Sequence, residues 1–143
     1  MEELVGISVL VHPNLTQDPV NMQGHMGRIS YVLYEDSSVY VKFKNQMLGL
    51  YEADGLLMLI PGEIVLDKLR HDVYEMDMDA SEVVDILGIY LLDATGKQEQ
   101  QQQALDWAMG NSKIREAIVF SVQDWIDFQL DRLDQHQQPG RRL

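Results

Sequence analysis

Apolar and polar residues alternate with a period of two along the first sixty positions of the chain. The alternation is clearest over residues 7–11, 29–34 and 39–44. Strict alternation that is rich in β-branched and aromatic residues is typical of half-buried strands. We therefore predict three strands here, and two further short strands over residues 47–51 and 56–60.

The segments between these strands carry turn-forming residues. Residues 12–14 (His-Pro-Asn) end the first strand and begin a long loop, whereas residues 35–38 and 44–46 are short enough for hairpin turns. Five short strands, one long first loop and tight later connections predict a small barrel that is closed on itself.

After Pro61 the apolar spacing changes to that of helices. The first predicted helix ends near His71, where an imidazolium suits the carboxyl end. Asp79 and Glu82 form the sequence of a capping pair, so we predict that they open a second helix, which Gly96 ends.

The glutamine-rich run 97–103 is predicted to form the exposed first turns of a third helix. The last helix is predicted as one continuous element over residues 114–133. At about 100° per residue its apolar side chains fall on one broad arc. Four carboxylates lie on the opposite side and form a ridge: Asp124, Asp127, Asp131 and Asp134.

These patterns predict an α+β fold. A five-stranded barrel occupies residues 1–60, three to four helices occupy residues 61–135, and residues 136–143 form a flexible tail. A 60-residue barrel is marginally stable alone, so we expect the helical half to pack on it. The surplus apolar surface of the last helix is then buried against the barrel or against a second copy of the chain.

Charge and composition limit the partners that the chain can have. The chain has 143 residues, a formal net charge of −12 and no cysteine. Such a protein is repelled by phosphate backbones and anionic membrane surfaces, so we expect neither nucleic acid nor a membrane as a partner. Because cysteine and a long apolar stretch are both missing, we expect a cytoplasmic protein.

No residue pattern in the sequence predicts catalysis, a metal or a cofactor. The four histidines are scattered, and no serine lies in a Gly-x-Ser-x-Gly motif. The acidic run 75–82 resembles the start of a calcium loop, but a loop counted from Glu75 needs glycine at its sixth position and glutamate at its twelfth, where the chain has Ala80 and Ile86. We therefore expect no enzyme, no metal site and no cofactor.

One face of the predicted barrel combines cations and aromatic side chains. Even-numbered positions of the second and third strands share this face: Arg28, Ser30, Val32, Tyr34, Tyr40, Lys42 and Lys44. Tyr51 is expected at its rim. Aromatic rings beside cations suit a peptide ligand or a base-stacking platform. Alternatively, the face packs on the acidic helical half, and Lys42 and Lys44 form intramolecular ion pairs.

Several segments between residues 9 and 59 resemble the strands of an SH3-like barrel, in particular its KOW-like variants. These segments are Val9-Leu-Val11, Gly24-xx-Gly27-Arg-Ile29, Val39-Tyr-Val41-Lys-Phe43, Gly49-Leu-Tyr51 and Leu56-Leu-Met-Leu59. The resemblance implies a module that contacts RNA or the transcription and translation machinery, binds peptides or docks other domains. This chain differs from the KOW-like domains in being acidic, and an acidic protein is repelled by the phosphates of RNA.

Three functional hypotheses follow. The first is a non-catalytic protein–protein interaction module, with a homodimer through the last helix as one form of partnership. The second is an acidic inhibitor or immunity-type protein whose carboxylate ridge blocks a basic nucleic-acid-binding partner. The third is a small enzyme with a pocket between the two halves.

Overall fold

The computed structural model describes the backbone of residues 4–72 and 77–141, and the side chains of residues 4–70 and 77–132. These ranges contain a six-stranded antiparallel sheet and five α-helices, so the chain is α+β. The strands are β1 (Ser8–Val11), β2 (Met26–Leu33), β3 (Ser38–Lys42), β4 (Leu48–Glu52), β5 (Leu56–Leu59) and β6 (Val119–Ser121). The helices are α1 (Gly62–Asp72), α2 (Ala80–Asp93), α3 (Gln98–Met109), α4 (Ser112–Ile118) and α5 (Val122–Arg141).

The sheet is strongly curled. Its strand order is β4-β3-β2-β1-β5-β6, yet only the 3-10 turn Ala53–Gly55 joins β4 to β5. A flat sheet would separate these two strands by roughly 19 Å, whereas the four residue steps between them span at most about 14 Å. Because no ladder pairs β4 with β5 among the described strands, the sheet does not close. The predicted closed five-stranded barrel is therefore wrong.

The predicted last helix is interrupted by the sixth strand. Val119, Phe120 and Ser121 pair with β5 and extend the sheet, and β-branched and aromatic residues favour this conformation. Asp124 N–H then donates to Ser121 Oγ at 3.0 Å, and Ser121 N–H donates to Asp124 Oδ2 at 3.2 Å. This reciprocal capping box begins α5, and the Ser-x-x-Asp spacing is its sequence signal.

Apolar side chains pack on both faces of β1 and β5, and this produces two cores. The first core lies inside the curl and includes Val9, Val11, Leu56 and Met58, with Val122, Trp125 and Ile126 of α5 covering it. The second core lies on the other face and joins the sheet to α1, α2, α3 and α4 through Leu10, Leu57, Leu59, Ile86, Ile89, Leu105 and Ile118. The sequence left open whether the apolar side of the last helix packs on the barrel or on a second copy. Over Val122–Ile126 it is buried within the chain.

The glutamine-rich start of α3 is bound to the sheet rather than exposed. Gln102 Oε1 accepts the Met26 N–H at 3.0 Å, and Gln102 Nε2 donates to Gly24 O at 2.9 Å. Gln98 Nε2 donates to Met26 O at 2.9 Å. A side-chain amide has the same donor and acceptor as a peptide group, so these glutamines pair with the beginning of β2 as a neighbouring strand would.

The predicted cap of α2 is confirmed. Asp79 Oδ1 accepts the Glu82 N–H at 2.9 Å, and Glu82 Oε1 accepts the Asp79 N–H at 3.1 Å. The bond from the Glu82 N–H, and then that from the Ser81 hydroxyl, lower the pKa of Asp79 below its ordinary value. A lowered folded-state pKa makes the ionised cap stabilising above the ordinary aspartate pKa, near 4. This stabilisation is lost as pH falls through the lower folded-state value.

We therefore predict that the ionised Asp79 contributes to stability at pH 7 and ceases to do so in acid. Asp79→Ala is expected to lower the midpoint of thermal unfolding at neutral pH, with a difference from wild type that shrinks towards acidic pH. Asp79→Asn keeps an amide oxygen as acceptor without a titratable group, and it serves as the control. A difference between wild type and Asp79→Ala that does not change with pH would contradict this account.

Candidate interaction surface

The outward side of β2, β3 and β4 forms an open sheet face. Its side chains lie in two rows that cross the three strands, as the pairing register shows. The first row is Arg28, Lys42 and Leu48, and the second row is Tyr31, Tyr40 and Leu50. Residues directly opposite on neighbouring strands have side chains in contact range. The open sheet face is therefore a continuous surface of two cations, two tyrosines and two leucines.

A bulge in β2 decides which aromatic side chain reaches this face. Ile29 pairs with Val41 and Tyr31 pairs with Tyr40, so Ser30 is an extra residue in the ladder. One extra residue reverses the alternation of side chains beyond it. The prediction that even-numbered positions share the face therefore fails after Ser30: Val32 is buried in the first core, and Tyr31 is 58% exposed.

The three cations of the open half of the sheet differ in their partners. Arg28 donates from Nη1 to Gly6 O at 3.3 Å and from Nη2 to Gly96 O at 3.1 Å, so two backbone carbonyls anchor its guanidinium. Lys44 Nζ lies 3.3 Å from the Glu99 carboxylate of α3, in a solvent-exposed pair of small stabilising effect. In the part of the chain that the structure describes, no carboxylate lies within ion-pair distance of Lys42.

The three tyrosines that the sequence assigned to this surface occupy different places. Tyr40 lies on the open sheet face and is half-buried, and Tyr34 is exposed in the 3-10 turn after β2. Tyr51 instead points into the first core, with 4% of its surface exposed. Its hydroxyl donates to Asp18 Oδ1 at 2.7 Å. Burial, and then the bond to Asp18, raise the pKa of Tyr51, so it is a neutral core residue and not part of the rim.

A groove runs beside the open sheet face, between α3 and the β3–β4 hairpin. Its volume is about 480 Å³, and Met22, His25, Lys44, Gln98, Glu99 and Gln103 contribute to its walls. Lys44 and Glu99 line this groove, and their exposed ion pair bridges it between the hairpin and α3. The groove therefore lies along one side of the open sheet face and separates the β3–β4 hairpin from α3.

A second concave site lies between the two halves, where the sequence placed a possible enzyme pocket. It measures about 250 Å³ and is lined in part by Ser8, Arg28, Asp93 and Gln101. The Ser8 hydroxyl donates to Gln101 Oε1 at 2.6 Å, so it is bound to an amide rather than to a base. Burial raises the pKa of Asp93. Gln101 Nε2 also donates to the backbone oxygen of Asp93 at 3.3 Å. Among these groups, the Ser8 hydroxyl has no activating partner.

Histidine and carboxylate side chains do not gather at any point of the described chain in a group of three that could hold a metal ion. His12 and His25, which flank the long loop, are used separately. His12 Nδ1 accepts the Asn14 N–H at 3.1 Å, and His25 is exposed. The predicted cap by the His71 side chain lies outside the described side chains, and so do residues 75 and 76 of the acidic run.

The carboxylate ridge on α5 has a mixed role. Asp124 caps the helix through Ser121, and Asp127 Oδ1 accepts from Gln123 Nε2 at 3.0 Å. Asp131 is exposed. Asp134 belongs to the described backbone of α5, but its side chain lies outside the described ones. One carboxylate of the ridge is thus committed to forming the helix.

No protein-family model, curated protein or solved structure matches the chain. The site is consequently defined by its own geometry alone. Among the described helices, none combines the length and the apolar character that a bilayer-spanning segment requires.

Proposed function

We propose that the protein is a non-catalytic protein–protein interaction module whose open sheet face binds an acidic segment of its partner. One observation carries the proposal. Arg28 and Lys42 lie directly opposite each other on adjacent strands, beside a row of exposed aromatic and apolar side chains. We expect the module to act in the cytoplasm, because the chain has no cysteine.

The paired cations give the open sheet face an unmet electrostatic requirement. Like charges that face each other across a sheet destabilise it. The chain contains 23 acidic residues, yet the only carboxylate among the outward positions of β4 is Glu52, which pairs with Ser38 rather than with Lys42. A partner carboxylate placed between Arg28 and Lys42 would relieve this repulsion and accept charge-assisted hydrogen bonds from both.

Exposed apolar side chains in both rows supply contact area. Tyr31, Leu48 and Leu50 are 58%, 51% and 43% exposed, and they lie together rather than scattered. Clustered apolar exposure is typical of interaction sites. Tyrosine suits such sites because its ring packs against a partner and its hydroxyl is hydrated when the surface is free. A protein segment that carries few carboxylates among apolar side chains matches both rows, and the net charge of −12 repels it less than a nucleic acid, which carries a charge on every nucleotide.

We also infer that residues 8–59 form an SH3-like unit in an opened form. The strand order β4-β3-β2-β1-β5 and the 3-10 turn between β4 and β5 support this inference. The bulge in β2 supports this inference too, because a bulge bends its strand and increases the local twist, as a curled sheet requires. Fold likeness alone leaves function undecided, so the binding proposal rests on the side chains of the open sheet face.

The test compares Lys42→Glu with Lys68→Glu, a matched reversal on the exposed side of α1. Immobilised wild-type and variant proteins would be incubated with lysate, and the captured proteins quantified by mass spectrometry. Partners that need the open sheet face should be depleted at least tenfold on Lys42→Glu and retained on Lys68→Glu. Acidic peptides taken from those partners should then bind wild type and displace them.

Equal capture by wild type and Lys42→Glu would overturn the proposal. A third variant, Asp127→Lys with Asp131→Lys, separates the acidic-inhibitor hypothesis from ours. Loss of basic nucleic-acid-binding partners on that variant alone would assign function to the α5 ridge instead. Such binding would also weaken steeply with added salt.

A further inference from the structure

Helix α2 presents an uncharged outer stripe that the proposed function does not use. Val84, Leu87 and Leu91 are exposed on it by 64%, 42% and 73%. The other exposed residues of this helix and its carboxyl end are also uncharged: Ala80, Ser81, Ala94 and Thr95. At about 100° per residue these seven positions occupy one side of the helix. We call them, together with Trp107, the α2 stripe.

Trp107 of α3 extends the α2 stripe sideways. Its ring packs over Gly88, where an added Cβ would lie 2.8 Å from Trp107 Cη2. The ring nevertheless remains 39% exposed. The stripe is therefore a continuous apolar patch of four large side chains from two packed helices, and such a patch is typical of an interaction site.

We propose that the α2 stripe is the interface through which two copies of this chain form a homodimer. The charge distribution favours a second copy as the occupant. Two molecules of net charge −12 repel each other, so they associate most readily where neither carries a charge. The stripe is such a place, and it offers no charged group by which a charged partner of another kind would be selected.

The arrangement of the stripe also matches a two-fold axis. The midpoint between Val84 and Leu91 falls between Leu87 and Gly88. An axis through that point, with the two helices antiparallel, places Val84 of each copy against Leu91 of the other and brings the two Leu87 side chains together. The same patch thus serves both copies, which is the requirement of an isologous interface. The interface is small, so we expect a dissociation constant on the order of 10 µM.

Sedimentation equilibrium of the full-length protein tests the dimer. Wild type is expected to move from 16.4 kDa towards twice that mass as its concentration rises. Leu91→Glu would place a carboxylate in the interface and should raise the dissociation constant at least tenfold. Leu91 is 73% exposed, so this variant should fold normally, and far-UV circular dichroism checks that it does. Leu130→Glu, at a 47% exposed position of α5, is the matched control and should dimerise like wild type.

Single cysteines test the geometry, because the chain has no cysteine and any disulfide must join two copies. Leu87→Cys should form a covalent dimer on mild oxidation. Leu91→Cys alone should not. In the proposed dimer, position 91 of one copy lies about 10 Å along the helix axis from position 91 of the other, beyond the roughly 7 Å that a disulfide spans. A mixture of Val84→Cys and Leu91→Cys proteins should cross-link.

Three outcomes would overturn the proposal. Wild type could remain at 16.4 kDa at every concentration. Leu91→Glu could dimerise as well as wild type, or Leu130→Glu could be the variant that dissociates, which would place the dimer on the last helix. The variants in these experiments leave Lys42 unchanged, so their results test the dimer independently of the partner-binding proposal.

Discussion

Replacing Gly27 with alanine is expected to lower the free energy of unfolding by about 3 kcal/mol, near the upper end of ordinary overpacking costs. Gly27 lies in β2 and faces the first core. An added Cβ would lie 2.5 Å from Val41 Cγ1, 2.9 Å from Phe43 Cδ1 and 2.9 Å from the backbone oxygen of Lys42. That oxygen cannot move away cheaply, because Lys42 is paired with Arg28 in the sheet.

Urea denaturation of Gly27→Ala and Gly96→Ala measures this effect. Gly96 has a φ of +72°, and nothing lies within 4 Å of a Cβ built there. Alanine at Gly96 should therefore cost only the strain of the left-handed conformation, about 1 kcal/mol. Equal losses for the two variants would show that the close packing of β2 on β3 is not what requires glycine at position 27.

The strands were predictable because their pattern is local. Alternation over residues 29–34 and 39–44 locates β2 and β3 to within a few residues, since half-buried strands need one apolar side each. The break before α5 was missed for the opposite reason. Ile118, Val122 and Trp125 fit a single helical arc, yet residues 119–121 between them form a strand because they pair with β5. Such a tertiary effect overrides local spacing.

The open sheet face was predicted only in outline: Val32 and Tyr51 are buried, and Tyr34 lies in the 3-10 turn after β2. Lys42 and Tyr40 were placed correctly because β3 is regular, whereas the extra residue Ser30 exchanged Tyr31 for Val32. Alternation in a sequence does not reveal an inserted residue when both neighbours are large. The burial of Tyr51 depends on Asp18, 33 positions earlier in the chain, and spacing carries no signal of that bond.

The α2 stripe was not predicted, because helical spacing alone does not show which apolar side chains of a helix stay exposed. The helical spacing correctly placed apolar residues on α2, and Ile86 and Ile89 are fully buried. Leu87 and Leu91 nevertheless face outward, because α2 is apolar on more than one side. Spacing identifies which residues share a face, but the sheet and α3 decide which face is covered.

Truncating Trp125 to alanine is expected to cost about 3–5 kcal/mol, the largest loss that a single change should cause in this chain. Trp125 is 4% exposed and joins α5 to the first core. Its ring stacks on Phe128, with centroids 5.5 Å apart, and lies 6.4 Å from Phe120 of β6. Its removal therefore leaves a cavity at the point where the C-terminal half completes the sheet.

Because the two cores share β1 and β5, this loss should reach the whole chain. In Trp125→Ala the remaining tryptophan is Trp107, whose fluorescence reports on α3 in the second core. Its unfolding midpoint in urea should fall together with that of the far-UV circular dichroism signal, as one transition. Trp125→Phe, which keeps an aromatic ring, should lose less. If α3 instead unfolded at the wild-type midpoint in Trp125→Ala, the two cores would be independent units, and the curled sheet would not couple the helices to the open sheet face.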